Sequence, residues 1–199
     1  MHKTLILFCT IVSIISVGNL VNAQTNVFVV PIGSDAPTEK TIFITTTSFQ
    51  GNLDGVAGAD DKCQTEANNA VPPLPGIYKA WISRTGTPSI PSRPSFRKHD
   101  LPYKNVDDSL VASSFDDFLD GNFPGTIKTI EGSSNFRQAW TGTQNDGTDG
   151  NLNCLNWTSN DEGDRGMIGV NIGGPVTSDW SSDGSSICSS ARHLYCFEQ

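Results

Sequence analysis

The sequence predicts an exported α+β protein, and three observations lead to this class. Two segments with helical patterning precede a run of short strand candidates separated by Asp-Gly turns, which is typical of an α+β rather than a parallel α/β fold. The 199 residues include 19 glycines and 11 prolines, which favours many turns over a helical bundle. The amino terminus has the pattern of a secretion signal.

Residues 1–23 are predicted to be a signal peptide. His2 and Lys3 form a short basic start, residues 4–17 are almost continuously apolar, and Val21-Asn22-Ala23 places small residues where signal peptidase cleaves. The apolar run is too short to cross a bilayer of about 30 Å. A lipoprotein modified at Cys9 is the alternative, but Cys9 lies inside the apolar run rather than after it. We therefore expect a secreted or cell-surface protein without a transmembrane segment.

Four cysteines remain after cleavage, namely Cys63, Cys154, Cys188 and Cys196. An even number of thiols in an oxidising compartment predicts two disulfides, although four cysteines allow three pairings. The zinc alternative is weak, because the last three cysteines lack the two-residue spacing with which one turn presents two thiolates.

The chain is expected to hold one domain, residues 41–199, after a linker or added edge strand at residues 24–40. Residues 41–47 are rich in β-branched side chains and predict a strand. Residues 59–70 predict a helix whose inner face carries Ala59, Cys63 and Ala67 at four-residue spacing. A second short helix is predicted around Phe115 and Phe118, with two acids at its positive end. Further strands are predicted at residues 77–82, 138–141, 155–158, 167–172 and 193–197.

Several stretches of this sequence together resemble a known family. They are residues 58–64, 78–83, 139–148 and 154–157, and the seven residues between Cys188 and Cys196 with the Phe-Glu-Gln that follows. The chain resembles the endostatin-like domains of bacterial exported proteins, which are similar to vertebrate endostatin and, more distantly, to C-type lectin-like domains. The resemblance implies two helices packed on a mostly antiparallel twisted sheet. It also implies the disulfides Cys63–Cys196 and Cys154–Cys188.

A cationic loop is the first candidate binding site. Between Lys79 and Lys104 the chain carries six cations and one acid, with many prolines and glycines. Arginine offers two parallel donors to sulfates or carboxylates, and the resemblance implies a heparin-binding surface in this segment. The candidate ligand-binding residues are Arg84, Arg93, Arg97 and Lys98. The alternative is a solvated loop whose cations pair with nearby carboxylates.

An acidic segment follows in residues 144–183, and it is the candidate cation site. Calcium takes six to eight oxygen ligands, which Asp- and Asn-rich turns can supply. The candidate ligands are Asn145, Asp146, Asp149 and Asp183. The proline-containing triplet of calcium-dependent lectins is missing here, so the alternative is that these acids build turns.

Tryptophans and catalytic motifs are the remaining candidates for a functional site in the sequence. Trp81, Trp140 and Trp157 are predicted to pack in the core, whereas Trp180 has polar neighbours and is the tryptophan expected at a binding surface. The sequence contains no His-Glu-x-x-His zinc helix and no Gly-x-Ser-x-Gly nucleophile elbow, so we expect no enzyme.

The function expected from the sequence is that of an extracellular binding module. The resemblance points to adhesion to matrix or host macromolecules, either protein or glycosaminoglycan, with no nucleic-acid partner and no obligatory cofactor. One alternative is a calcium-dependent carbohydrate-binding domain, and another is a structural component of the cell surface without a soluble ligand.

Overall fold

Strand β8 (His193–Glu198) lies at the centre of the sheet in the computed structural model, which describes residues 37–86, 90, 93, 96–121, 123–171 and 179–199. One edge of β8 pairs antiparallel with β1 (Lys40–Ile44). The other edge pairs in parallel with β5 (Gln138–Trp140) at its start and antiparallel with β2 (Tyr78–Ala80) at its end. Strand β8, at the end of the described chain, therefore pairs both with strands from the start of that chain and with a strand from its middle.

The sheet extends outward from these central strands. Beyond β1 lie β3 (Tyr103–Lys104) and β4 (Leu110–Ala112), and beyond β5 lie β6 (Arg165–Val170) and β7 (Gly184–Ile187). Five of the seven pairings among the described strands are antiparallel. The described chain is thus α+β with a mixed eight-stranded sheet, and its helical segments are α1 (Gly55–Asn69), α2 (Asp116–Asp120), α3 (Cys154–Trp157) and α4 (Asp179–Ser182).

Helix α1 packs on the central strands through a face of small residues. Ala59, Cys63 and Ala67 are fully buried, as the four-residue spacing predicted. Cys63 is bonded to Cys196 of β8, with 5.5 Å between their Cα atoms. Small side chains let the helix come this close to the sheet, and the disulfide fixes it there.

The second disulfide joins Cys154 to Cys188, with a Cα–Cα distance of 5.7 Å, so both bridges have the pairing that the resemblance implied. The strand predicted at residues 155–158 is wrong, because Cys154, Leu155, Asn156 and Trp157 have φ angles of 49°, 54°, 58° and 66° and form a left-handed turn.

Hydrogen bonds hold this left-handed turn, in which each non-glycine residue costs roughly 1–2 kcal/mol. The Asn153 side chain accepts from the backbone of Asn156 at 3.0 Å, and the Trp157 indole donates to the Ser83 carbonyl at 2.7 Å. These contacts and the disulfide oppose the backbone strain.

All four tryptophans are fully buried. The expectation that Trp180 lies at a binding surface is therefore wrong. Its ring centroid is 4.7 Å from that of Trp81, and its Nε1 donates to the Phe118 carbonyl at 3.1 Å. Although the sequence neighbours of Trp180 are polar, α4 directs the indole into the aromatic core.

The predicted signal peptide at residues 1–23 lies outside the described residues, as does most of the predicted linker at residues 24–40. The end of that linker enters the sheet, because Lys40 begins β1. None of the helices in the described ranges has the length and apolar character needed to cross a bilayer.

Candidate functional site

A groove of about 1140 Å³ runs along the exposed side of α1, and we call it the α1 groove. One wall is formed by α1 and the segment that follows it. The other is formed by the turn after β1 together with Val106, Ile130 and Glu131. Its lining residues are Thr46, Thr47, Phe49, Asp54, Gly58, Asp61, Lys62, Thr65, Glu66, Asn69, Ala70, Val71, Pro72, Leu74, Val106, Ile130 and Glu131. The groove is large enough for a ligand of several residues.

Part of the α1 groove is apolar and open to solvent. Val71 is 98% exposed at the end of α1. Leu74, Val106 and Ile130 are partly buried against the core cluster that contains the inner face of α1. Contiguous apolar surface beside polar groups is a common sign of an interaction site in proteins.

Two carboxylates, Glu66 of α1 and Glu131, accept hydrogen bonds from the same residue, Thr46, which lies on the groove wall opposite α1. The Thr46 backbone N–H donates to Glu66, and the Thr46 hydroxyl donates to Glu131. The Thr47 N–H lies 3.4 Å from the second oxygen of Glu66. Thr46 thus holds two negative charges side by side at the groove wall.

The environments of these two acids separate their pKa values. Burial raises the pKa of Glu66 despite the hydrogen bonds from Thr46 and Thr47, and the charge of Glu131 adds to this effect. Burial acts in the same direction on Glu131, but the hydroxyl groups of Thr46 and Thr129 and the charge of Arg137 outweigh it and lower the pKa of Glu131. Glu131 is therefore the more firmly ionised of the pair.

Sequence reasoning missed this site. Glu66 and Glu131 are far apart in the chain, and neither belongs to a recognisable motif. The only local signal was the Val71-Pro72-Pro73 sequence after the helix, which predicts that α1 ends in an exposed apolar segment.

The cationic loop does not bring its four predicted residues to one surface. Arg93 is buried, and its guanidinium lies 2.5 Å from Asp60 of α1. It also donates to the Ala80 carbonyl at 2.7 Å and to the Ile82 carbonyl at 3.3 Å. Arg93 thus ties this segment to α1 and β2, in contrast to the prediction that placed it on an exposed loop.

The other three cations of the predicted set are exposed. Lys98 lies 2.5 Å from Asp116 of α2, so part of its charge is compensated. Arg84 and Arg97 are exposed at the two ends of the segment. Surface pairs of this kind contribute little to stability, and they also reduce the positive field that a polyanion would meet.

The four predicted calcium ligands are used largely in turns. The Asp146 carboxylate accepts from the Thr148 hydroxyl at 2.6 Å and from the Thr148 N–H at 3.0 Å, and these bonds lower the pKa of Asp146. Asp149 accepts from the Asn151 N–H at 2.9 Å. Asn145 is partly buried and Asp183 is exposed. Across the part of the chain that the structure describes, no group of three or more His, Cys, Asp or Glu side chains is placed to hold a metal ion.

His193 is the half-buried histidine at the start of β8. Its Nε2 lies 3.2 Å from Arg137 Nη1, so the arginine donates to a neutral ring. Burial lowers the pKa of His193, and the charges of Arg137 and Arg192 lower it further. The fold therefore favours the neutral imidazole.

Replacement of Arg93 tests the structural role of the buried ion pair. We expect Arg93→Met to lower the free energy of unfolding by about 3 kcal/mol, the lower end for a broken buried ion pair, because the buried Asp60 carboxylate loses its closest cation while Lys79 stays at 3.5 Å. Urea denaturation measures the change, and the exposed Arg97→Met is the matched control, expected within about 0.5 kcal/mol of wild type. A loss below about 1 kcal/mol for Arg93→Met would contradict this role.

The pH dependence of stability tests the lowered pKa of His193. Because the folded pKa of His193 lies below its ordinary value of 6.5, neutral His193 contributes stability above about pH 6.5, and this contribution is lost as pH falls through the folded pKa. We expect the free energy of unfolding to fall less steeply between about pH 7 and pH 5 in His193→Asn than in wild type. Urea denaturation at both pH values measures this, and equal slopes would refute the effect.

Comparison with known proteins adds no family assignment. No protein-family profile matches the chain, and a search of curated proteins finds no significant match.

Proposed function

We propose that the protein is an exported binding module whose α1 groove takes a segment of an extracellular matrix or host protein. The observation that carries the proposal is the combination, in one groove, of exposed apolar side chains with the Glu66–Glu131 pair held at Thr46. The two disulfides and the absence of a membrane-spanning helix within the described ranges are compatible with this setting.

The chemistry of the groove favours a partner that is both basic and apolar. Its lining includes four acids, Asp54, Asp61, Glu66 and Glu131, against the single cation Lys62. Lys62 already contacts Asp54 at 3.4 Å and lies 5.7 Å from the centre of the Phe49 ring. The protein has a net charge of −8, which also steers cationic partners toward it.

The resemblance to endostatin-like and C-type lectin-like domains remains part of this proposal. Its support is the α+β class together with a disulfide pairing in which Cys154–Cys188 is nested inside Cys63–Cys196. The adhesion role is proposed from that resemblance, and the groove supplies the site. A protein partner is preferred to a glycosaminoglycan because the cations predicted to bind sulfates include the buried Arg93 and the paired Lys98.

A binding panel tests the proposal directly. Wild-type protein and Glu66→Gln/Glu131→Gln are compared on immobilised laminin, fibronectin, complement regulators and heparin. We expect protein binding to weaken by at least about tenfold in the double variant, since each lost charged contact contributes about 1.5–3 kcal/mol. Binding should also weaken as pH falls, beginning above the ordinary glutamate pKa of 4.5, because the pKa of Glu66 is raised.

Matched variants distinguish specific binding at the α1 groove from a general effect of the protein's negative charge. Glu39→Gln/Glu162→Gln removes the same two charges outside the groove and is expected to leave binding unchanged. Val71→Ser shortens an exposed side chain and should weaken binding without changing stability. Binding that is lost only in Arg84→Gln/Arg97→Gln/Lys98→Gln would refute the groove, and no binding to any protein on the panel would refute this function.

A further inference from the structure

The two walls of the α1 groove contact each other at two successive positions of α1. Glu66 accepts from the Thr46 backbone, and one turn earlier in the helix the Lys62 ammonium lies over the Phe49 ring, 5.7 Å from its centre. Residues 62 and 66 are about 6 Å apart along the helix axis, because each residue of an α-helix rises about 1.5 Å. The groove therefore has two side-chain positions about one helical turn apart.

The position at Lys62 has the contacts that an ammonium group needs. Lys62 Nζ donates to the Leu53 carbonyl at 3.1 Å and lies 3.4 Å from a carboxylate oxygen of Asp54. The face of the Phe49 ring adds a third attraction for the charge. A carbonyl, a carboxylate and an aromatic ring thus surround one cation, and this cation belongs to the protein itself.

The position at Glu66 lacks such a cation. Neither Glu66 nor Glu131 forms an ion pair with a described residue, although the charge of Arg137 acts on Glu131. Thr46 supplies hydrogen bonds to both carboxylates but no positive charge. A basic side chain of a bound segment can therefore compensate this pair.

The groove becomes apolar beyond the carboxylate pair, at the end of α1. Val71 is exposed there, and Leu74 is partly buried beside it. Alternate side chains of an extended segment lie about 6.4–6.8 Å apart on one face, which is close to the spacing of the positions along α1. An extended segment can thus place a basic side chain at the pair and an apolar side chain, two residues away, toward Val71.

We propose that Lys62 determines the specificity of the α1 groove by limiting it to segments with a single basic side chain. That side chain binds the pair Glu66 and Glu131. A second basic side chain two residues away, on the side opposite Val71, meets the like charge of Lys62. This inference rests on the proposed function, since it concerns the segment that the groove binds.

Electrostatics at the Lys62 end support this selection. A like charge brought close to another at an interface strongly disfavours the partner that carries it. The remaining acid at this end, Asp61, is exposed, so solvent weakens its attraction for a second cation. Lys62→Met removes the ammonium but keeps a side chain of similar length. The contacts at Asp54 and Phe49 then become free for a second basic side chain of the segment.

Nuclear magnetic resonance titration of the purified protein with both disulfides formed tests this specificity. The probes are acetyl-Gln-Ala-Lys-Ala-Leu-amide, with one basic residue, and acetyl-Lys-Ala-Lys-Ala-Leu-amide, with two. Both are also made in reversed order, because an extended segment can enter the groove in either direction. We expect the ratio of dibasic to single-basic affinity to rise by about tenfold from wild type to Lys62→Met, as expected for one gained charged contact.

Two further variants control for charge and for the ring. Lys128→Met is the matched control, because Lys128 lies outside the groove, also pairs with an aspartate, and is 24% exposed against 23% for Lys62. It removes the same charge and should keep the wild-type affinity ratio. Phe49→Leu/Lys62→Met should lose most of the gain in the ratio, because the ring face is missing.

Four outcomes would overturn the inference. The affinity ratio could be the same in wild type and Lys62→Met, or neither peptide could bind Lys62→Met. An equal rise of the ratio in Lys128→Met would show a general effect of charge. The full gain in Phe49→Leu/Lys62→Met would show that the second basic side chain does not bind at Phe49.

The same titration separates the failure of this inference from that of the proposed function. If Glu66→Gln/Glu131→Gln binds both peptides as wild type does, the groove proposal fails. If that variant binds both peptides more weakly while Lys62→Met keeps the wild-type ratio, only the specificity assigned to Lys62 fails. If neither peptide binds Lys62→Met, the inference fails while the binding panel still decides the groove.

Discussion

The Cys63–Cys196 disulfide is the constraint on which the rest of the structure depends. It closes a loop of 133 residues and joins α1 to β8, the strand that pairs with β1, β2 and β5. A crosslink over so long a loop restricts the unfolded chain strongly, and the model of loop closure assigns it about 4–5 kcal/mol. Because α1 forms one wall of the groove and β1 leads into the other, the same bond fixes the width of the candidate site.

Buried charge supports the disulfide on the same face of α1. Asp60 lies one turn before Cys63 and accepts from Arg93 and from the Ala80 N–H at 3.0 Å. The helix is thus held both by a covalent bond to β8 and by a charged contact that reaches β2. This arrangement explains why an arginine from a segment rich in proline and glycine is directed inward.

The charges at the candidate sites are ordered rather than scattered. Within the Thr45–Thr47 turn, Thr46 donates to the carboxylates of Glu66 and Glu131, and the backbone of Thr45 and Thr47 lies beside His193, which contacts Arg137. Neighbouring charges of opposite sign favour one orientation of a bound segment and disfavour partners of uniform charge.

The periodicity of side chains within a few residues predicted much of the fold. The β-branched run that became β1 and the inward face of α1 with Cys63 were predicted because both follow from side-chain periodicity within a few residues. The left-handed turn at Cys154–Trp157 was not, because it contains no glycine and depends on a disulfide and on Asn153.

The sites were predicted less well, for a related reason. Arg93 and Trp180 have polar or irregular sequence surroundings, yet distant residues, Asp60 and Trp81, bury them. The carboxylate pair joins Glu66 to Glu131 through Thr46, and no periodicity connects residues so far apart in the chain. Sites that arise from long-range packing leave little trace in a single sequence.

Amide hydrogen exchange measured by mass spectrometry tests most directly whether the disulfide to β8 holds α1 and thereby the groove. The comparison is between the native protein and Cys63→Ala/Cys196→Ala at low temperature, with Cys154→Ala/Cys188→Ala as the matched loss of a disulfide. The account predicts that exchange in α1 and in the Thr45–Thr47 turn accelerates much more in the first variant than exchange in β5 and β6. Unchanged protection of α1 in that variant would contradict it.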